Sequence, residues 1–136
     1  MRATLVIAAL IAAAVAAGAA HPVSAHHSIA MFDGGRVVKI EGQVTAFRWI
    51  NPHAIFELDG IIDGESVPAH WIVEMQAPNT MTETGWSRTT LAAGDRITVF
   101  ANPARGAAPV NGAYRVLYTG IILPGGLALG HTDDNR

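Results

Sequence analysis

The side chains of this chain best able to do chemistry are its histidines, and two of them, His26 and His27, stand where an export leader would be cut. Val23-Ser24-Ala25 offers small residues at the two positions signal peptidase reads, after a basic start at Arg2 and a run dominated by Ala, Val, Leu and Ile. Cleavage there makes His26 the first residue, so that its amine and its own imidazole chelate one metal ion. A second imidazole completes a T-shaped histidine brace, and nitrogen ligands in tetragonal geometry favour Cu(II) over zinc. The expected cofactor is therefore copper, held by His26 and His27 with His53 and His70 as further ligands. The plainer reading is a polar terminus that binds copper weakly, as any such peptide does, and processing after Ala20 would put His21 first and abolish the brace.

A second constellation lies in the middle of the chain. His53 and Glu57 alternate along one strand-like run and His70 and Glu74 along the next, so a hairpin places all four on one outward face. With the reversal at Asp63-Gly64, Glu57 falls opposite His70 and His53 opposite Glu74. Directly opposed residues have Cβ atoms about 5 Å apart, whereas positions four apart along a strand are roughly 13 Å apart. The face then holds two His–Glu pairs rather than one four-ligand cage. Cross-strand pairing explains them without a ligand; location on the hairpin keeps a ligand face of Trp49, Glu57 and Glu74 in view.

Other chemistry is poorly supplied. Trp49, Trp71 and Trp86 could stack a sugar, base or peptide, but tryptophan is mostly buried and core is the simpler assignment. Met31, Met75 and Met81 are too scattered for a thioether copper site. Ser28, Ser66 and Ser87 lack a nucleophile-elbow context, and no phosphate-cradling glycine motif is present, which disfavours an enzyme. With no cysteine, thiol chemistry and disulfides are excluded. Removing residues 1–25 takes away Arg2, one of nine basic residues, leaving eight against eleven acidic ones and a net charge of −3. Such a chain has no electrostatic footprint for nucleic acid.

The elements that must position these residues follow from the hydrophobic pattern. Residues 1–25 form the signal peptide, too Ala-rich to make a strong span, and residues 26–36 an amino-terminal arm ending in Gly34-Gly35. From Val37 the chain alternates strictly, with Val38, Ile40, Val44 and Ala46 on one face, and Gly42 midway permits a sharp bend. Asn51-Pro52 interrupts the pattern as a corner. Ala54, Phe56 and Leu58 then face inward, as do Trp71, Val73 and Met75 on the return strand, with Asp59-Gly60 read as a bulge opposite Pro68. Pro78 to Gly85 carries the marks of a short helix, and Ile97, Val99 and Ala101, then Tyr114 to Leu123, make strands four and five. Strand, strand, strand, short helix, strand, strand, with a long bent first strand, predicts an all-β fold, a small five-stranded OB-like barrel over residues 37–123. A β-sandwich is the alternative, and residues 124–136 read as a flexible, frayed tail.

Ala25-His26-His27-Ser28, Met31-Phe32-Asp33, Phe47-Arg48-Trp49, Asn51-Pro52-His53, Trp71-Ile72-Val73-Glu74, Pro78-Asn79, Gly85-Trp86 and Gly94-Asp95 together resemble a family of small exported bacterial proteins classed as a domain of unknown function. Relatives carry basic residues near Thr82 to Thr84, where this chain has none. The resemblance implies an exported β-barrel module. On this reading the protein is a small binding module of the periplasm, or secreted, either holding Cu(II) or serving as a metal-independent protein-interaction or scaffold module. It keeps no membrane span after cleavage and takes an envelope protein or an unidentified small ligand as partner.

Overall fold

The computed structural model describes residues 27–106 and 109–133. Its elements are α1 (His27–Ala30), β1 (Val38–Arg48), β2 (Ile55–Ile62), β3 (Ala69–Glu74), α2 (Pro78–Glu83), β4 (Arg96–Pro103), β5 (Ala113–Ile122) and β6 (Ala128–Gly130). The strands hydrogen-bond in the order β3-β2-β1-β4-β5-β6, and β3 also pairs with β5 in parallel, so β1 to β5 form a closed ring. A closed five-stranded barrel with its one short helix between β3 and β4 is the OB-like plan that the order of elements predicts, and the sandwich alternative is set aside.

Alternation along each strand builds the interior. Ile40, Val44, Phe56, Leu58, Val73, Val99, Val116 and Ile121 are buried to 2% exposure or less. Gly42 faces this interior opposite Gly60, and a Cβ on Gly42 would lie 2.3 Å from the Asp59 carbonyl oxygen. The bare backbone is thus what lets β1 and β2 approach this closely at the bend. Asp59-Gly60 is therefore part of the ladder and not a bulge. The bulge lies on β1, where Thr45 is the extra residue between Val44 and Ala46. It inverts the alternation beyond it, so that Phe47 packs against the core where simple period-two reading assigned Ala46.

Helix α2 begins with Pro78 at its first position and ends on Gly85 at φ +92°. The Trp86 amide donates to the Met81 carbonyl and the Gly85 amide to that of Thr82, the paired bonds of a Schellman stop. This ending delivers Met81 and Trp86 together into the barrel core. The carboxyl-terminal end differs from expectation. Leu123 to Leu127 makes a tight turn, and Ala128–Gly130 returns along β5 as a sixth strand outside the ring. Glycine makes this possible, because a Cβ on Gly120 would lie 2.0 Å from the His131 carbonyl oxygen. That close approach is invisible in a sequence whose Pro124-Gly125-Gly126 reads as a chain end.

Candidate functional site

The outward face of β2 and β3 is where sequence reasoning put its histidine–carboxylate pairs, and the observed register moves them by two residues. His70 lies opposite Asp59, Glu57 opposite Ile72, and Glu74 opposite Ile55. The expected two-residue turn at Asp63-Gly64 is instead part of a longer connection. Pro68 has no amide to donate, and the β2–β3 ladder stops at Gly60 and Ala69, while Ile61 and Ile62 pair with β1 alone. The Asp63 amide is taken by the Lys39 carbonyl at 2.8 Å.

The two-residue shift builds a different cluster from the same hairpin. His70 Nδ1 is 2.7 Å from Asp59 Oδ1, and its Nε2 is 3.1 Å from Glu57 Oε2. Glu57 accepts a further hydrogen bond from Arg48 Nη2 through its other oxygen. An imidazole with a carboxylate on each nitrogen is best satisfied as imidazolium, because neutral histidine has one N–H to give. The Asp59 hydrogen bond accordingly raises the His70 pKa above the ordinary imidazole value, and the bond to Glu57 adds to this against partial burial. Burial pushes the Glu57 carboxyl up, but Arg48 and His70 together outweigh it and hold the group below the usual glutamate value.

The sign of the pH dependence follows. The His70 contribution is complete below its unfolded value of about 6.5 and is lost as pH rises through the raised folded value. The Glu57 contribution is complete above its unfolded value and lost as pH falls through the lowered one. The stability difference between the natural protein and His70→Gln is expected to be greatest near pH 5 to 6 and to shrink through neutrality. With His70 35% exposed, the difference stays below about 1 kcal/mol, the scale of surface pairs. Urea unfolding of both proteins between pH 5 and 9 measures it, and a difference that grows with pH would contradict the arrangement.

The remaining expected residues are dispersed. Glu74 is not paired with His53; it is 9% exposed and its carboxylate lies 3.0 Å from Arg115 Nη2 on the neighbouring β5. His53 precedes Ala54, whose backbone bonds Gln76 and Met75, so it sits at the edge of the hairpin beyond the cluster. The Asn51–Pro52 bond at the corner before it is cis. Trp49 is half-buried and meets Phe47 edge-on at 5.8 Å. Trp71 and Trp86 are core: the Trp71 indole donates to the Gly60 carbonyl at 3.0 Å and that of Trp86 to the Tyr118 hydroxyl at 3.1 Å. Burial raises the Tyr118 pKa to about 12. His26 and the His27 side chain lie outside the described part of the structure. Among the described residues no group of three or more His, Asp or Glu side chains could hold a metal ion.

Three members of these networks escaped the sequence reading. Asp59 was masked by the turn signal of Asp-Gly. Arg48 had no visible partner until the Thr45 bulge brought it beside Glu57, and Arg115 depends on the parallel β3–β5 contact, which no local pattern announces.

A model described as a family of unknown function (DUF6152) matches residues 12–112. The chain belongs to this family. The matched stretch of this chain takes in β1 to β4 and the whole β2–β3 hairpin. No match was found among curated proteins. Among solved structures, the mitochondrial single-stranded DNA binding protein Rim1 from S. cerevisiae is similar at 11% identity, with 68% of this chain and 94% of that one covered and a TM-score of 0.45. No helix of the described residues is long and apolar enough to cross a membrane.

Proposed function

We propose that the protein is an exported binding module that engages an envelope protein or small ligand on the outward face of β2 and β3, without a metal. The observation that carries this reading is the Arg48–Glu57–His70–Asp59 cluster. It sets hydrogen-bonded, half-exposed polar groups beside the partly buried Ile55 and Ile72, on two paired strands of the closed barrel. Both nitrogens of His70 are occupied by carboxylates, so the face recognises its ligand through charge and shape and not through a vacant ligand atom.

A copper-binding reading is retained for the amino terminus because the arm behind it is fastened down. Phe32 is 3% exposed, the Asp33 amide donates to the Pro103 carbonyl, and the Arg105 amide donates to the Met31 carbonyl, both at 2.8 Å. On this reading a processed His26 chelates copper through its amine and imidazole, with His27 and His53 as further ligands. One experiment separates the two readings: Cu(II) titration of protein beginning at His26, of the same protein with one alanine added before His26, and of His53→Ala. The metal-free module predicts micromolar or weaker binding, indifferent to both changes. Stoichiometric submicromolar binding, lost at least tenfold on either change, would replace it with the copper site.

A further inference from the structure

A second concave surface lies away from the β2–β3 cluster. The register sets Ile61, Glu41, Thr98 and Ile122 side by side across β2, β1, β4 and β5. All four point outward, since their neighbours Ile40, Val99 and Ile121 are in the core. Asp63 to Glu65 line one end and Leu123 to Gly125 the other, enclosing a groove of about 780 Å³. Its floor is apolar at both sides, with Ile61 38% exposed.

The charges of this groove are unbalanced in a way those of the β2–β3 face are not. On that face Glu57, Asp59 and Glu74 each meet a basic side chain. In the groove, Glu41, Asp63 and Glu65 stand against the single guanidinium of Arg96. Lys39 reaches Glu41 at 2.8 Å and offsets one carboxylate, but Asp63 and Glu65 are exposed and form no ion pair with the described residues.

We propose that this groove seats an extended cationic segment of a partner polypeptide, with basic side chains against Asp63 and Glu65 and apolar ones on Ile61 and Ile122. The spacing fits. Three strand intervals of about 4.8 Å separate the two isoleucines, roughly 14 Å, and residues i and i+4 of an extended chain are about 13 Å apart on one side. The excess of carboxylates selects a basic partner and disfavours an acidic one. The protein then has two separate recognition faces, which suits a scaffold.

The test uses the full mature chain, isotopically labelled, titrated with an acetylated nonapeptide of lysine carrying valine at its third and seventh positions, which share one side of the extended chain, and with the counterpart that has glutamate in place of every lysine. The lysine peptide is expected to shift the amides of Glu41, Ile61, Thr98 and Ile122, with the glutamate peptide inert. Asp63→Asn with Glu65→Gln is expected to weaken binding about fivefold, as loss of two surface charges should, and Ile61→Ser to weaken it independently of salt. Absence of binding, equal binding of both peptides, shifts centred elsewhere, or an affinity untouched by either variant would overturn the proposal. So would peptide-free, concentration-dependent shifts of the same amides, which would make a second copy the occupant.

Discussion

Replacing Gly42 by alanine is expected to cost about 3 kcal/mol or more, the upper end of overpacking penalties. The added Cβ would lie 2.3 Å from the Asp59 carbonyl oxygen and 2.6 Å from the Gly60 Cα. Both are backbone atoms of a paired strand, so no side chain can swing aside to relieve them. Moving β2 away would break the pairing of Gly42 with Gly60 and of Glu41 with Ile61. For a domain of this size the loss corresponds to a fall in Tm of roughly 10 °C or more. Gly34→Ala is the matched control, because a Cβ there meets nothing within 4 Å, and it should change stability by less than about 0.5 kcal/mol. Thermal unfolding of the two variants side by side checks this, and equal Tm values would refute the proposed close crossing.

Trp86→Ala is expected to be comparably severe, at about 3 to 5 kcal/mol. Trp86 is 1% exposed. Its ring meets Tyr118 edge-on at 5.3 Å and stacks on Phe56 at 6.3 Å, so truncation leaves a large void bounded by aromatic rings that cannot collapse into it. The indole also begins a hydrogen-bond chain, Trp86 to the Tyr118 hydroxyl and on to the Leu129 carbonyl at 3.0 Å, which ties β6 to the barrel. Trp86→Phe keeps most of the volume and removes the first bond, and should lose clearly less, about 1 to 2 kcal/mol. Urea midpoints with an unchanged m-value report the series. A loss below 1 kcal/mol for Trp86→Ala would mean that the residue is not a core element.

These two residues also show what a sequence of this kind makes legible. The barrel could be read because alternation, the glycine at the bend and the Pro-to-Gly limits of the helix are local signals. Each inward residue expected on β2 and β3, from Ala54 to Met75, is buried. The candidate site was legible in location and not in composition. Glu57 and His70 do meet, but as diagonal neighbours, because Pro68 ends the ladder early and shifts the register by two. His53 and Glu74 part company for the same reason. Arg115 became the partner of Glu74 through the parallel β3–β5 contact, a tertiary event with no signature in either strand.

That parallel contact bears on how the chain reaches its folded state. His70 pairs with Ala113, 43 residues further along the chain, so the loop entropy of joining β3 to β5 must be met before any bond of that ladder forms. Antiparallel neighbours such as β1 and β2 can zip from a short corner, whereas closure of the ring waits on a long-range search, which slows folding. Until it closes, β3 is an edge strand with Trp71 and Val73 on a face still open to water. The barrel's last seam is thus its point of greatest exposure to mispairing, and the ion pair of Glu74 with Arg115 lies directly across it.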